Sequence, residues 1–454
     1  MRAGGPAFEG RLGWAYLGLG LLVSGFAVAL ASGAVLRSEA SSAIVAVVIV
    51  VGIGVLLALA QWLPGLIFTL VPVSCIFNTR QGFFPFDLVV LGLAAYAVMD
   101  AVWRKDARLP GPPALNVAFL AFLVSGMITL FMARELSSYA GAMKRLVVGY
   151  CGAVLVWRYA DRQRWPWFGL SIPLAGTAFA LQILHSYLSR GFLVQKAYEL
   201  RSFYSDVGWG AANYVGAVIT ITILGSVILL VLPGRPWLRL VSGIALVPMM
   251  VGMAMLVSRG TIVAVALGLV ALLVTVGGRH RWKILVLAGL GTALVTQLPV
   301  FKVILLRFTA ASQSYSYAAR VVHWTYALNR FLTHPVLGVG IGQGRYQHDD
   351  LLDRDPHNYF LSVASEMGII GFIAWIVLLI VLFRTLSVAA RTHPDRSGWA
   401  ASLAVLAAIA VLHSCYEPTF AGAHYFFVFF WVATVLYRAA DPIDPASSPI
   451  THSP

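Results

Sequence analysis

A chain of 454 residues that is 59% hydrophobic and only 11% charged is too apolar for a soluble fold, where about a quarter of residues are charged. Its three cysteines, Cys75, Cys151 and Cys415, are odd in number and lie in or beside apolar runs, which suggests neither a disulfide framework nor a zinc site. The formal net charge is +14; bilayer is the expected solvent, so membrane lipids are expected partners and nucleic acid is not.

Apolar segments near the spanning length of about 20 residues run at 14–35, 41–60, 62–77, 86–103, 115–133, 139–160, 167–188, 211–232, 238–257, 260–277, 282–304, 359–386, 399–417 and 423–440. They predict an all-α integral membrane protein with about 14 transmembrane helices. The first run is longer than a signal-peptide core and is read as a span. Residues 1–440 then form a single polytopic domain, and the polar, Pro-rich stretch 441–454 is expected to be a disordered cytoplasmic tail.

Orientation follows from the short basic loops. Arg104, Lys105 and Arg108, then Arg158, Arg162 and Arg164, then Arg235 and Arg239, Arg279, Arg281 and Lys283, and Arg384, Arg391 and Arg396 share one side, predicted to be cytoplasmic together with both termini. The opposite, periplasmic side holds the longest loops, 189–210 and 305–358, the second expected to carry short helices. Arg190, Lys196, Arg201, Arg259, Lys302, Arg307, Arg320, Arg330, Arg345 and Arg354 fall there against the positive-inside preference, beside Asp349, Asp350, Asp353 and Asp355. They suit either a phosphorylated lipid or a loop whose charges solvate one another in pairs.

Taken along the chain, Ser258-Arg259-Gly260 reverses direction with almost no loop, so Arg259 either clamps a phosphate or snorkels to headgroups. The run from Arg320 to Phe331, with His323, Trp324 and Tyr326, has the spacing of a short amphipathic helix on the bilayer surface. His334-Pro-Val-Leu-Gly338-Val-Gly340-Ile-Gly342-Gln-Gly344-Arg345 matches no nucleotide fingerprint and is read as a mobile hinge or turn. Asp355 suits an N-cap and Pro356 the first helical position, placing His357 in a first turn. A helix N-terminus there disfavours imidazolium and welcomes phosphate oxygens, although a surface histidine is also a common structural residue. Glu366 is an intramembrane carboxylate, read as the partner of an inward arginine more readily than as a catalyst. Gly368 and Gly371 share a helix face and invite a close neighbour. His413, Glu417 and His424 have a spacing that can bind metal but no signature, and no metal site is expected.

In this order, Ser258-Arg259-Gly260, Arg320 with Trp324, His334-Pro335 with Gly338 and Gly340, and His357-Asn358 followed by nine residues and Gly368-Ile-Ile-Gly371 resemble the O-antigen ligase superfamily over residues 205–390. The resemblance implies a bacterial inner-membrane enzyme with its active site facing the periplasm. Such an enzyme takes a glycan from undecaprenyl pyrophosphate to an acceptor hydroxyl, with inversion and without metal, nucleotide sugar or other cofactor. It makes His357 the catalytic residue and Arg259 and Arg320 the pyrophosphate contacts. Arg201 and Arg345, from the basic residues of the outer face, are read as further phosphate contacts, and Asn358, Glu366, Gly368 and Gly371 as support. A ligase would use lipid A-core as acceptor and a polymerase the growing glycan. Paired R-x10-G loops, typical of some polymerases, are absent from 189–210 and 305–358, which favours ligase. About 14 helices, more than ligases usually carry, leaves polymerase open. A lipid-linked glycan or ion transporter is the more distant alternative, for which internal repeats and midplane charges would be expected.

Overall fold

The computed structural model describes residues 64–76, 85–103, 109–188, 212–276, 278–344, 356–393, 396–417, 419–422 and 424–440. The first two expected spans, the loop 189–210 with Arg201, the stretch 345–355 with Arg345 and Asp355, and the tail 441–454 lie outside them. Among the described residues the chain is entirely helical. In chain order the helices are α1 (Pro64–Leu70), α2 (Pro85–Trp103), α3 (Pro113–Ile128), α4 (Leu136–Tyr159), α5 (Trp165–Leu188), α6 (Ala212–Val231) and α7 (Pro236–Met255). They continue with α8 (Arg259–Thr275), α9 (Gly278–Gln297), α10 (Phe301–Arg307), α11 (Ala310–Thr333), α12 (Tyr359–Thr392), α13 (Ser397–Ser414) and α14 (Tyr425–Ala440). Among the described residues seven helices are long and apolar enough to cross a membrane, or eight if α9 and α10 count as one broken span. The chain is a multi-pass membrane protein.

The helix α6 is apolar all round and buried along nearly its whole length, as a central helix should be. It is ringed by α5, α7, α8, α13 and α14. The aromatic α14, with Phe426, Phe427, Phe429, Phe430 and Trp431 all buried, packs on α4 because Gly149 and Gly152 leave room for the rings of Phe426 and Phe427. Two indole N–H groups are satisfied across helices: Trp431 donates to Ser171 Oγ at 2.8 Å and Trp165 to the Val435 carbonyl at 2.8 Å. Two ion pairs tie α2 to α4, Asp87 with Lys144 and Asp100 with Arg158, the latter at 2.9 Å. Charges inside an apolar bundle persist when paired in this way.

Several expectations need correction. The segment 62–77 is not one span in its described part, since α1 is seven residues long and is followed by a 3-10 turn at Val73–Ile76. The segment 282–304 is bent by 99° between α9 and α10, at Leu298-Pro299, where the proline removes a helix hydrogen bond. Within 305–358, residues 310–333 form a single 24-residue helix rather than short pieces, there being no Gly or Pro inside it to stop one. Val321, Val322, Leu328 and Leu332 are exposed on α11, a face suited to the bilayer surface.

Of hinge and turn, the glycine-rich segment after α11 is a turn, laced to its neighbours. Val339 N–H donates to the Ser365 carbonyl (3.0 Å) and Gly340 N–H to the Glu366 carbonyl (2.9 Å), while Ile369 N–H returns to the Pro335 carbonyl (2.8 Å). The Glu366 carboxylate takes the Gly342 and Gly344 N–H groups at 2.8 and 3.1 Å. On the other flank Ile341 N–H donates to Thr129 Oγ1 (3.1 Å), and Gln343 bridges the α3–α4 connection. Its Oε1 accepts from Glu135 N–H (2.9 Å) and its Nε2 donates to the Glu135 carbonyl (2.8 Å). Glycines supply the exposed peptide groups and positive φ values that this lacing needs.

The lacing is possible because α12 is broken. Gly368 has φ 63°, ψ −163°, and a Cβ there would strike the Val336 carbonyl. What Gly368 admits is therefore this loop, and not a neighbouring helix as the i, i+3 spacing suggested. Gly371 makes room for the side chain of Met367 on its own helix.

Candidate active site

The site is built where α12 begins. Pro356 is not its first helical residue. Asn358 is the N-cap, its Oδ1 accepting from Leu361 N–H at 3.1 Å, and the helix starts at Tyr359. Asparagine is as good a cap as aspartate. His357 therefore stands just outside the helix, in the left-handed region at φ 51°, and the first-turn position assumed from sequence is not where it sits.

That conformation turns the imidazole toward Glu417. Nδ1 of His357 lies 3.0 Å from Glu417 Oε2, and Arg320 NH2 donates to Oε1 of the same carboxylate at 2.8 Å. Glu417 follows α13 in a tight turn, its N–H bonded to the His413 carbonyl. It is 3% exposed, whereas the side chains of His357 and Arg320 are 30% and 27% exposed. A buried carboxylate thus holds two groups that reach the surface. Burial alone would push the Glu417 carboxyl up, but the hydrogen bond and charge of His357 and the charge of Arg320 outweigh it and leave it below the ordinary glutamate range. Glu417 is ionised and accepts only.

Arg259 approaches from the other flank. Ser258 caps α8, its Oγ accepting from Thr261 N–H at 3.4 Å, and donates to Asn213 Oδ1 at 3.0 Å. The Arg259 guanidinium donates to the Arg307 carbonyl at the end of α10 (2.9 Å). Tyr416, next to Glu417, donates its hydroxyl to the Gly260 carbonyl (3.2 Å), and the His413 ring lies tilted against that of Tyr416. Two non-glycine residues have positive φ among the described residues, Val257 and His357. For a β-branched residue this is costly, and both lie within two residues of a site arginine or are the site histidine itself, as backbone strain tends to do.

The His323 ring lies 6.2 Å from that of His357, and Arg330 covers the Tyr326 ring (4.4 Å) while bonding the Gly344 carbonyl. The expected residues thus divide. Arg320 and His357 meet on one carboxylate, and Arg259 begins the helix that adjoins it. Glu366, Gly368 and Gly371 shape the loop and the break beneath. The Glu366 carboxylate clasps the Gly342 and Gly344 backbone N–H groups. Of the three groups with metal-like spacing, Glu417 is engaged by Arg320 and His357 and His424 packs against Phe179. Among the described residues no group of three His, Cys, Asp or Glu is placed to hold a metal ion.

Residues 244–376 match the family model of O-antigen ligase. This region is an O-antigen ligase domain. The match takes in Arg259, Arg320, His357 and the Glu366–Gly371 stretch, and ends before Glu417. The matched segment accordingly carries the domain of membrane transferases of the O-antigen ligase and polymerase type. No curated protein matches the chain. Sequence reasoning on the ligase motifs did not reach Glu417 as the partner of His357, since 60 residues separate them. The signal available was an acidic residue at the end of an apolar run, which is costly there unless paired.

Proposed function

We propose that the chain transfers a glycan from undecaprenyl pyrophosphate to an acceptor hydroxyl at the periplasmic face of the bacterial inner membrane, most simply as an O-antigen ligase acting on lipid A-core. The observation that carries this reading is the Arg320–Glu417–His357 cluster. With Nδ1–H of His357 donated to Glu417, Nε2 is left as a base for the acceptor hydroxyl, in the orientation general base catalysis requires. As the acceptor oxygen attacks the anomeric carbon, the C–O bond to pyrophosphate breaks and configuration inverts. The acceptor proton passes to Nε2, and the bonding electrons leave with the pyrophosphate.

Arg320 spends one of its N–H groups on Glu417 and keeps others for phosphate oxygens. Arg259, presented at the start of α8, supplies a second guanidinium, and Arg201 and Arg345 belong to the same proposed set. Charge developing on the leaving group is stabilised by such preorganised donors, commonly by several kcal/mol. About 14 spans with both termini cytoplasmic remain the proposed topology, and Asn358, Glu366, Gly368 and Gly371 the proposed support.

Lipopolysaccharide banding in a deletion strain tests the choice of acceptor. Loss of all long-chain bands with accumulation of lipid-linked glycan is the ligase result. Single-repeat bands would make the enzyme a polymerase, and loss of the long-chain bands with lipid-linked glycan stranded on the cytoplasmic side, rather than accumulated on the periplasmic side, would make it a transporter.

A further inference from the structure

Arg145 lies nine residues into α4, about 14 Å along it at 1.5 Å per residue, inside a candidate membrane span. On α4 the residues facing the bundle are set by contacts. Ser138 and Ala142 meet Gly342, and Gly149 and Gly152 seat Phe426 and Phe427. Arg145 falls in that same three-and-four stripe, between the glycine loop and the aromatic helix. It is half-buried, and its charge reaches the Tyr359 phenol, two residues from His357, where the Glu366 charge also acts.

Other cations facing the interior have partners. Lys144 pairs with Asp87, Arg158 with Asp100, and Arg320 with Glu417, and Arg330 bonds the Gly344 carbonyl. Arg145 has no hydrogen bond and no ion pair among the described residues. A guanidinium held this deep with no hydrogen-bonded partner is costly, and intramembrane cations of this kind mark ligand paths. The Glu366 carboxylate accepts from the Gly342 and Gly344 N–H groups and makes no hydrogen-bonded pair with Arg145.

We infer that Arg145 binds the diphosphate of the polyprenyl donor, forming a deeper anion seat on the α4 side of the site, opposite Arg259. The inference rests on the transferase reading above and adds a binding residue to it. The ligand chemistry is a phosphate ester on a lipid chain, and a donor diphosphate must be separated from a phospholipid headgroup.

The test is thermal unfolding of the full chain in detergent with undecaprenyl diphosphate lacking a glycan, with phosphatidylglycerol, or with neither. Wild type and His357→Ala should both be stabilised by undecaprenyl diphosphate. Arg145→Met should unfold no earlier than wild type without ligand, since an unpaired charge is removed, and should lose most of the ligand shift. Arg145→Lys should retain part of it. In turnover assays Arg145→Met should raise the donor KM about tenfold or more, the worth of a charge-assisted hydrogen bond.

An Arg145→Met protein that unfolds earlier but keeps the full shift would make Arg145 a structural counter-charge to Glu366 and overturn the inference. An equal, Arg145-dependent shift with phosphatidylglycerol would also overturn it, in favour of a headgroup site. Absence of any shift in wild type would instead strike the transferase reading itself.

Discussion

Glu417 is the residue on which two side chains of different chemistry depend, so its replacement separates their roles. Glu417→Gln keeps the shape but cannot fix the His357 tautomer or balance Arg320. Turnover should fall by roughly 10²-fold or more, with the protein still inserted in the membrane, as measured with purified enzyme and lipid-linked glycan. His357→Ala should fall at least as far, and combining the two should add little, because residues acting as a unit are not additive. A double variant showing the product of the two losses would count against the pairing. Acid sensitivity follows from the lowered Glu417 carboxyl. A carboxyl whose folded pKa is depressed stabilises the fold above its unfolded value, about 4.3, and loses that contribution as pH falls through the folded value. The melting temperature of wild type should therefore drop more steeply below about pH 4 than that of Glu417→Gln. Arg259→Lys and Arg320→Lys retain charge but lose the planar fork, and should impair donor use if each grips phosphate bidentately.

The α12 element behaves as two pieces joined at Gly368, and the loop between α11 and α12 is the splint. Gly368→Ala places a Cβ on the Val336 carbonyl and forces an L residue to positive φ, a strain of about 1–2 kcal/mol before the clash is counted. Gln343→Ala removes the bridge to Glu135 without touching the backbone of α12. Both variants should lower activity while leaving His357 and Arg320 in the sequence, and Gly368→Ala should cost more stability, as read by unfolding in detergent. Little of this element was legible in advance. The motif His334-Pro335 to Gly344 marked a turn, but glycine composition says only that the chain can bend, and the bonds to Ser365, Glu366 and Thr129 are made across the fold. The N-cap was misplaced for a related reason. Asp355-Pro356 and Asn358 both carry capping signals, and which one the chain uses depends on His357 reaching Glu417. Pro299 was the visible sign of the α9–α10 break, overridden by the apolar residues on both sides.

For the whole molecule, hydrophobic runs were a good guide because a spanning helix must satisfy its own backbone. The segments at 115–133, 139–160, 167–188, 211–232 and 238–257 correspond to α3 through α7 within a few residues. Orientation rests on the basic short loops, and reporter fusions check it. A fusion within 104–114 or after Pro454 should read cytoplasmic, and one between 345 and 352 periplasmic. A periplasmic signal from 104–114 would invert the assignment of the catalytic face.

The bond between Gln343 and Glu135 joins residues 208 apart, and Glu417 lies 60 residues beyond His357. A ribosome adding about 5–20 residues per second needs roughly 10–40 s to pass from the first partner of that splint to the second. During this time α3 and α4 sit in the bilayer with the Glu135 peptide group unclaimed. The general base is completed later still. A message cut short after codon 416 would encode the entire matched ligase segment, 244–376, yet yield a protein whose histidine has no carboxylate to hold it. Quality control that discards incomplete chains is thus also what keeps inert copies from occupying lipid-linked glycan.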